Sequence, residues 1–163
     1  MSNLDSLHTQ TLKYILKNAL LDKQEKTQND FLTFVKAVWP DFVEGKHHRI
    51  YAEKLNRIAN GELKRLIVNM PPRHTKSEFA SHLFPAFFMG RHPKAKVIQT
   101  THTGELAIRF GRKAKNMIES TEYERVFPDV RLAEEKIKES QLQKGGGTPK
   151  TLPIGGEFSG REP

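Results

Sequence analysis

An α/β fold with a parallel sheet flanked by helices is predicted for this chain by three observations. Leu66-Ile67-Val68 is a short apolar run with the character of a buried strand. A breaker-rich turn follows at Met70 to Thr75, and from it Lys76-Ser77 open a stretch with helical apolar spacing. Lys96-Val97-Ile98-Gln99-Thr100-Thr101, rich in β-branched residues, reads as a second strand leading into a second helix. Strand, loop, helix, strand, helix is a βαβ unit, which makes the sheet parallel with helices on both faces. Two readable strands are too few for a finished sheet, so the expected domain is incomplete.

In chain order, residues 4 to 22 carry Leu4, Leu7, Leu12, Ile15, Leu16, Ala19 and Leu20 as a roughly helical stripe. Lys23 to Asn29 reads as a polar connector, and Asp30 as the N-cap of a short helix, Phe31 to Val38, stopped by Pro40. Phe31, Phe34, Val35 and Val38 share one face of that helix and are core candidates, while Trp39-Pro40 fits either core or a stacking wall. Gly45-Lys46-His47-His48 begins a second amphipathic helix with Ile50, Tyr51, Leu55, Ile58 and Ala59, ending near Gly61. The His pair invites a metal reading. Adjacent helical residues point in different directions and no nearby carboxylate has ligand spacing, so a helix-start or nucleotide contact suits it better and a solvent-facing pair better still.

After Lys76 the apolar residues Phe79, Ala80, Leu83, Phe84, Phe87 and Phe88 occupy more than one helix face, which predicts burial against the sheet. Gly90-Arg91-His92-Pro93 supplies the stop. Thr103 is placed to cap a long helix with Leu106, Ala107, Phe110, Ala114, Met117 and Ile118 at helical spacing and a basic face of Arg109, Arg112, Lys113 and Lys115. Leu132 to Leu142 is charged and helix-compatible. From Lys144 onward the chain is Gly/Pro-rich and poor in apolar residues, which predicts a disordered tail. The division that follows is a helical segment at 1–29, a partial domain at 30–138 and a divergent tail at 139–163.

The chain has 163 residues, a formal net charge of +8 and no cysteine. That length allows one domain with a real core. The basic balance suits a polyanionic partner, nucleic acid first, against the blander alternative of a solvated basic surface. Without cysteine there are neither disulfides nor thiolate metal sites. No apolar run reaches membrane-spanning length and no signal peptide is readable.

The stretch Arg65 to Glu78 carries the functional signal. Strand, loop, Lys-Ser, helix is the layout of a phosphate-binding loop, in which backbone N–H groups face phosphates, the lysine neutralises their charge and the hydroxyl ligates Mg2+. The G-x-x-x-x-G-K-[ST] pattern is nevertheless broken, with Met70 at the first glycine position and Thr75 at the second. A β-branched residue there predicts an unstrained φ at Thr75. Pro71 and Pro72 donate no N–H, so the cradle must use the N–H groups of Arg73 to Ser77, with the Arg73 guanidinium as an added anion clamp.

Met70-Pro71-Pro72-Arg73-His74-Thr75-Lys76-Ser77-Glu78-Phe79-Ala80-Ser81 resembles the Walker A region of the large terminase subunit of tailed bacteriophages. Phe31 to Pro40 followed by His47 is similar to the adenine-side segment of those proteins. Val97 to Ala107 with Arg109 to Ile118, then Val126-Phe127-Pro128-Asp129, resembles the strand and helix after their phosphate loop. The resemblance spans residues about 28 to 132. It implies a partial P-loop NTPase domain of the ASCE type that uses ATP and Mg2+ to move double-stranded viral DNA into a procapsid, with deviant loops tolerated. Lys76 and Arg73 would be the catalytic residues. Arg73, His74, Thr75, Lys76, Ser77 and Glu78 would bind the nucleotide, with Trp39 and His47 on the adenine side and Ser77 on Mg2+. Portal protein, small terminase subunit and a homo-oligomeric ring are the implied partners, in the cytoplasm of a phage-carrying bacterial cell and without a membrane.

The chain also departs from that family. No Walker B acidic pair, catalytic glutamate, coupling motif or nuclease domain follows, and Gly155 to Arg161 is only faintly similar to the Gly-rich segment before Walker B. The expectation is therefore a truncated or frame-disrupted terminase piece that at most binds nucleotide weakly and hydrolyses it negligibly alone. The alternatives are a piece of another P-loop motor such as a helicase, a small basic nucleic-acid-binding protein in which Lys76-Ser77 is incidental, and an α/β fragment with no active site.

Overall fold

The computed structural model describes residues 2–130, with side chains from residue 8. The expectations for Leu132 to Leu142, for Gly155 to Arg161 and for the tail at 139–163 lie outside the described residues. In order, the elements are α1 (Ser2–Asn29), α2 (Phe31–Val38), α3 (Lys46–Ala59), α4 (Lys76–Glu78), a π-helical turn (Phe79–Leu83), α5 (Phe84–Arg91), α6 (Gly104–Ile118) and α7 (Thr121–Val126).

The parallel-sheet α/β P-loop fold expected from the sequence is not what forms: the described residues are helical and contain no sheet. Residues 63–70 and 95–101 lie outside the helices, and over 66–70 and 95–101 burial alternates from residue to residue as on a strand. Leu66, Val68 and Met70 pack toward the core while Ile67 is 95% exposed, and Val97 packs inward while Ile98 is 72% exposed. Apart from a single bridge position at Val97, neither segment is in a ladder among the described residues. The β-branched runs satisfy a local preference, but that preference measures fit to a pleated, half-buried surface and does not supply a partner.

Helices build the core instead. Phe31, Phe34 and Val35 of α2 are fully buried, with Val38 half-buried beside them. The Phe31 and Phe34 rings meet Phe79, Phe87, Tyr123 and Phe127 at centroid distances of 5.2–6.1 Å, edge-on or tilted, as ring quadrupoles prefer. The buried Tyr123 hydroxyl donates to the Ala86 carbonyl at 2.9 Å. Lodged there, its phenol is pushed well up from the ordinary value by burial.

Local chemistry sets the helix ends. Asp30 caps α2, accepting from the Thr33 N–H at 2.8 Å and the Thr33 hydroxyl at 2.6 Å. Asn56 of α3 clamps the same end, donating to Asp30 at 2.7 Å and accepting from the Phe31 N–H at 2.7 Å. Thr103 caps α6 through the Leu106 N–H. Gly61 ends α3 with φ +77°, a conformation glycine adopts freely.

Four further expectations are corrected. Lys23 to Asn29 is not a connector but the last turns of α1, because Gln24 and Gln28 both donate to the Val126 carbonyl and dock the helix on α7. Ile50, placed on the apolar stripe of α3, is exposed. Gly90-Arg91-His92-Pro93 does end its helix, at Arg91, but Gly90 lies inside the helix rather than at the stop. There it lets α5 approach the Phe127 ring, whose atoms lie 2.6 Å from where a Cβ would stand. The helical run from Lys76 packs on α2, α3 and α6 rather than on a sheet. It widens at Phe79–Leu83 because Pro85 has no N–H for the Ser81 carbonyl and its ring crowds that carbonyl, so the Phe84 N–H bonds Phe79 O instead. No helix among the described residues is long and apolar enough to cross a membrane.

Candidate functional site

The loop from Met70 to Glu78 projects from the helical core at the start of α4. Arg73 (φ +63°) and Thr75 (φ +58°) both lie in the left-handed region. The unstrained φ expected at Thr75 is therefore wrong. The residue standing at the second glycine position of the Walker layout adopts the conformation that favours glycine, at a cost of roughly 1–3 kcal/mol for a non-glycine residue.

Tertiary contacts hold it there. His48, buried at the start of α3, brings its Nε2 to 2.6 Å from Thr75 Oγ1, and its Nδ1 lies 2.8 Å from the Gly45 N–H. The Gly45 N–H must donate, so Nδ1 is bare and the proton of the neutral ring sits on Nε2. His48 therefore donates to the Thr75 hydroxyl, which donates onward to the His74 carbonyl at 2.6 Å. Burial lowers the His48 pKa; His47 and His74 lower it further, against a raising effect of Glu44.

The charged side chains of the loop divide into two groups. Lys76 folds back so that Nζ lies 3.3 Å from the Met70 carbonyl, closing the loop on itself. Glu78 turns away: Lys113 of α6 donates to its carboxylate at 3.1 and 3.2 Å, and His82 lies 3.4 Å from it. Arg73 and Ser77 are exposed. Among the described residues, no backbone carbonyl outside the helices accepts from the N–H groups of Arg73, His74 or Thr75.

The predicted adenine-side residues reach the loop unequally. The His47 ring lies tilted against that of His48 at 3.8 Å and 5.5 Å from the His74 ring, so it adjoins the loop directly. Trp39 meets Phe42 at 5.5 Å, and Phe42 meets His48 at 4.8 Å, which puts Trp39 two rings behind the loop. The residue that sequence reasoning undervalued is His48. Its signal was its place three residues after Gly45, the N3 position from which a side chain reaches back to the helix start.

Two concavities lie elsewhere, one of about 430 Å3 lined by Gln28, Gly90, His92 and Phe127, and one of about 610 Å3 between α1, α2 and α7. Neither includes a residue of the loop. Among the described residues no cluster of three metal-capable side chains exists. Mg2+ keeps several waters and commonly takes one or two protein oxygens beside phosphate oxygens, so Ser77 Oγ is the donor this loop offers. Compared with known proteins, the chain matches no family, no curated protein and no solved structure.

Proposed function

We propose that Met70–Glu78 binds the phosphates of a nucleoside triphosphate, ATP by the resemblance, and that the chain belongs to the ATPase region of a viral DNA-packaging motor of the terminase large-subunit type. The observation that carries the reading is the left-handed backbone at Thr75. A residue with every local reason to avoid that conformation is held in it at the glycine position of a phosphate loop. Left-handed residues in such a turn direct successive N–H groups toward one side, where they suit an anion. The reading rests on the loop and its neighbours, with no sheet behind them.

Within it the chain's own residues divide the work. Lys76 supplies a mobile positive charge that leaves the Met70 carbonyl for the β- and γ-phosphates, and Arg73 supplies a second, forked donor. Ser77 Oγ offers an oxygen to Mg2+, which when bound would neutralise phosphate charge. His47 and His74 form the aromatic side nearest the base. Glu78, tied to Lys113, supports the helix rather than the nucleotide. Binding is the extent of the reading. Hydrolysis needs a placed carboxylate, and the loop's own is engaged. The exposed Arg109 and Arg112 on α6 support a DNA-facing role for that helix.

A fluorescent ATP analogue titrated against the wild type and Lys76→Ala tests the reading, with a loss of at least about tenfold expected in the variant. Equal affinities would remove the phosphate role. The exposed basic face of α6 also favours a second reading, a small nucleic-acid-binding protein. It predicts DNA binding that survives Lys76→Ala and no analogue binding by the wild type.

A further inference from the structure

We propose that His48 is a positioning residue for the loop: by donating from Nε2 to Thr75 Oγ1 it holds a β-branched residue in a left-handed conformation and thereby fixes the direction of the loop N–H groups. Two bonds within the loop, Lys76 Nζ to the Met70 carbonyl at 3.3 Å and His74 Nδ1 with the Pro72 carbonyl at 2.8 Å, close its ends, but neither is made by Thr75. The Thr75 hydroxyl bonds its neighbour's carbonyl at 2.6 Å, but a threonine can make such a bond from other backbone angles; the side chain from outside the loop that bonds Thr75 is His48.

His48 is well built for the task. It is 6% exposed, with Phe42 at 4.8 Å on one side and Phe79 at 5.4 Å on another, so the ring has no room to swing away. The Gly45 N–H occupies its second nitrogen, which fixes both ring orientation and tautomer. Gly45 is itself tight against the histidines, with a Cβ there meeting the His47 ring at 2.9 Å. A glycine at position 75 would adopt the left-handed backbone with little strain and no anchor. This chain reaches the same backbone with a threonine and a buried imidazole donor, which gives a physical reason for the broken glycine pattern.

The consequence for ligand binding depends on the phosphate-binding reading above; the loop geometry does not. Two measurements on the full chain therefore separate them. Without any ligand, the three-bond HN–Hα coupling and Cα shift of residue 75 report the sign of its φ. Positive φ is expected in the wild type and in His48→Gln, which keeps a donor near the Nε2 position, and loss of it is expected in His48→Ala. Thr75→Val removes the hydroxyl while leaving the aromatic packing around His48 in place, and the same loss is expected; it keeps the proposal testable if His48→Ala does not fold. A left-handed residue 75 persisting in His48→Ala or Thr75→Val would overturn the proposal.

With the fluorescent ATP analogue, His48→Ala should weaken binding about tenfold, and His48→Ala/Thr75→Gly should restore it to within about twofold of the wild type. Rescue distinguishes positioning from packing, since a glycine at 75 repairs nothing in the core. A folded double variant that binds as weakly as His48→Ala overturns the proposal. If the wild type binds no analogue, the nucleotide reading falls while the coupling data still decide the role of His48.

Discussion

Lys113 of α6 reaches Glu78 of α4 at 3.1 Å, joining the helix that leaves the loop to the helix that carries the basic face. Both side chains are substantially exposed. A pair of this kind contributes roughly 0–1 kcal/mol, screened by salt. Lys113→Ala is therefore expected to shift the urea midpoint only slightly, with the shift shrinking further in high salt. A loss well above about 1 kcal/mol would mean that the pair is a structural strut and not a surface contact.

Gly90→Ala should destabilise the fold by about 1–3 kcal/mol, the usual cost of overpacking. In an open helix the same change would stabilise by roughly 1 kcal/mol. The sign is decided by the Phe127 ring, 2.6 Å from the new methyl and itself packed against Phe34, Phe87 and Tyr123. Thermal unfolding measures it directly. A stabilised variant would show that the ring yields.

Asn56→Ala removes two bonds at once and leaves the Phe31 N–H and part of the Asp30 carboxylate without partners. A cost of about 2–4 kcal/mol is expected by urea unfolding, since each stranded group costs about 1–3 kcal/mol. Burial raises the Asp30 pKa, but the bonds from Thr33 and Asn56 outweigh it and leave the carboxyl below its ordinary 3.8. A depressed carboxylate contributes stability that is present above pH 3.8 and is lost as pH falls through the folded value. Asn56→Ala should accordingly show a weaker acid dependence below pH 4.

His48 and His82 are both held below the ordinary 6.5, in each case chiefly by burial. The unfolded chain then binds more protons below pH 6.5, so stability is fully present above that pH and declines as pH falls through the folded values. At His48 protonation has a specific consequence: a charged ring cannot accept from Gly45. Urea midpoints measured from pH 8 to pH 5 should fall toward the acid end, and His48→Gln should flatten part of that slope. An unchanged slope in His48→Gln would assign the whole effect to other groups.

What could be read from the sequence was what one or two neighbouring residues decide. Asp30 and Thr103 cap their helices through bonds three residues away, and the apolar face of α2 follows from spacing alone. The polar end of α1 could not be read, because its reason for being helical is the Val126 carbonyl about a hundred residues on. The sheet failed for a related reason. Leu66-Ile67-Val68 and Lys96 to Thr101 have strand chemistry, but pairing is a property of two segments, and local preference says nothing about whether they meet. Thr75 shows the opposite case, where a contact from α3 overrides the residue's own preference.

The outward faces of the extended segments have a practical consequence. Ile67 and Ile98 stand in water on segments that, apart from the bridge at Val97, are in no ladder among the described residues, a combination that invites strands of other molecules to add on. Opposing it is the net charge of +8, which keeps copies apart only while its field reaches them. That reach is about 10 Å at 0.1 M salt and about 3 Å at 1 M. Purification at high ionic strength should thus promote clumping of this protein, and dilute buffer should keep it dispersed.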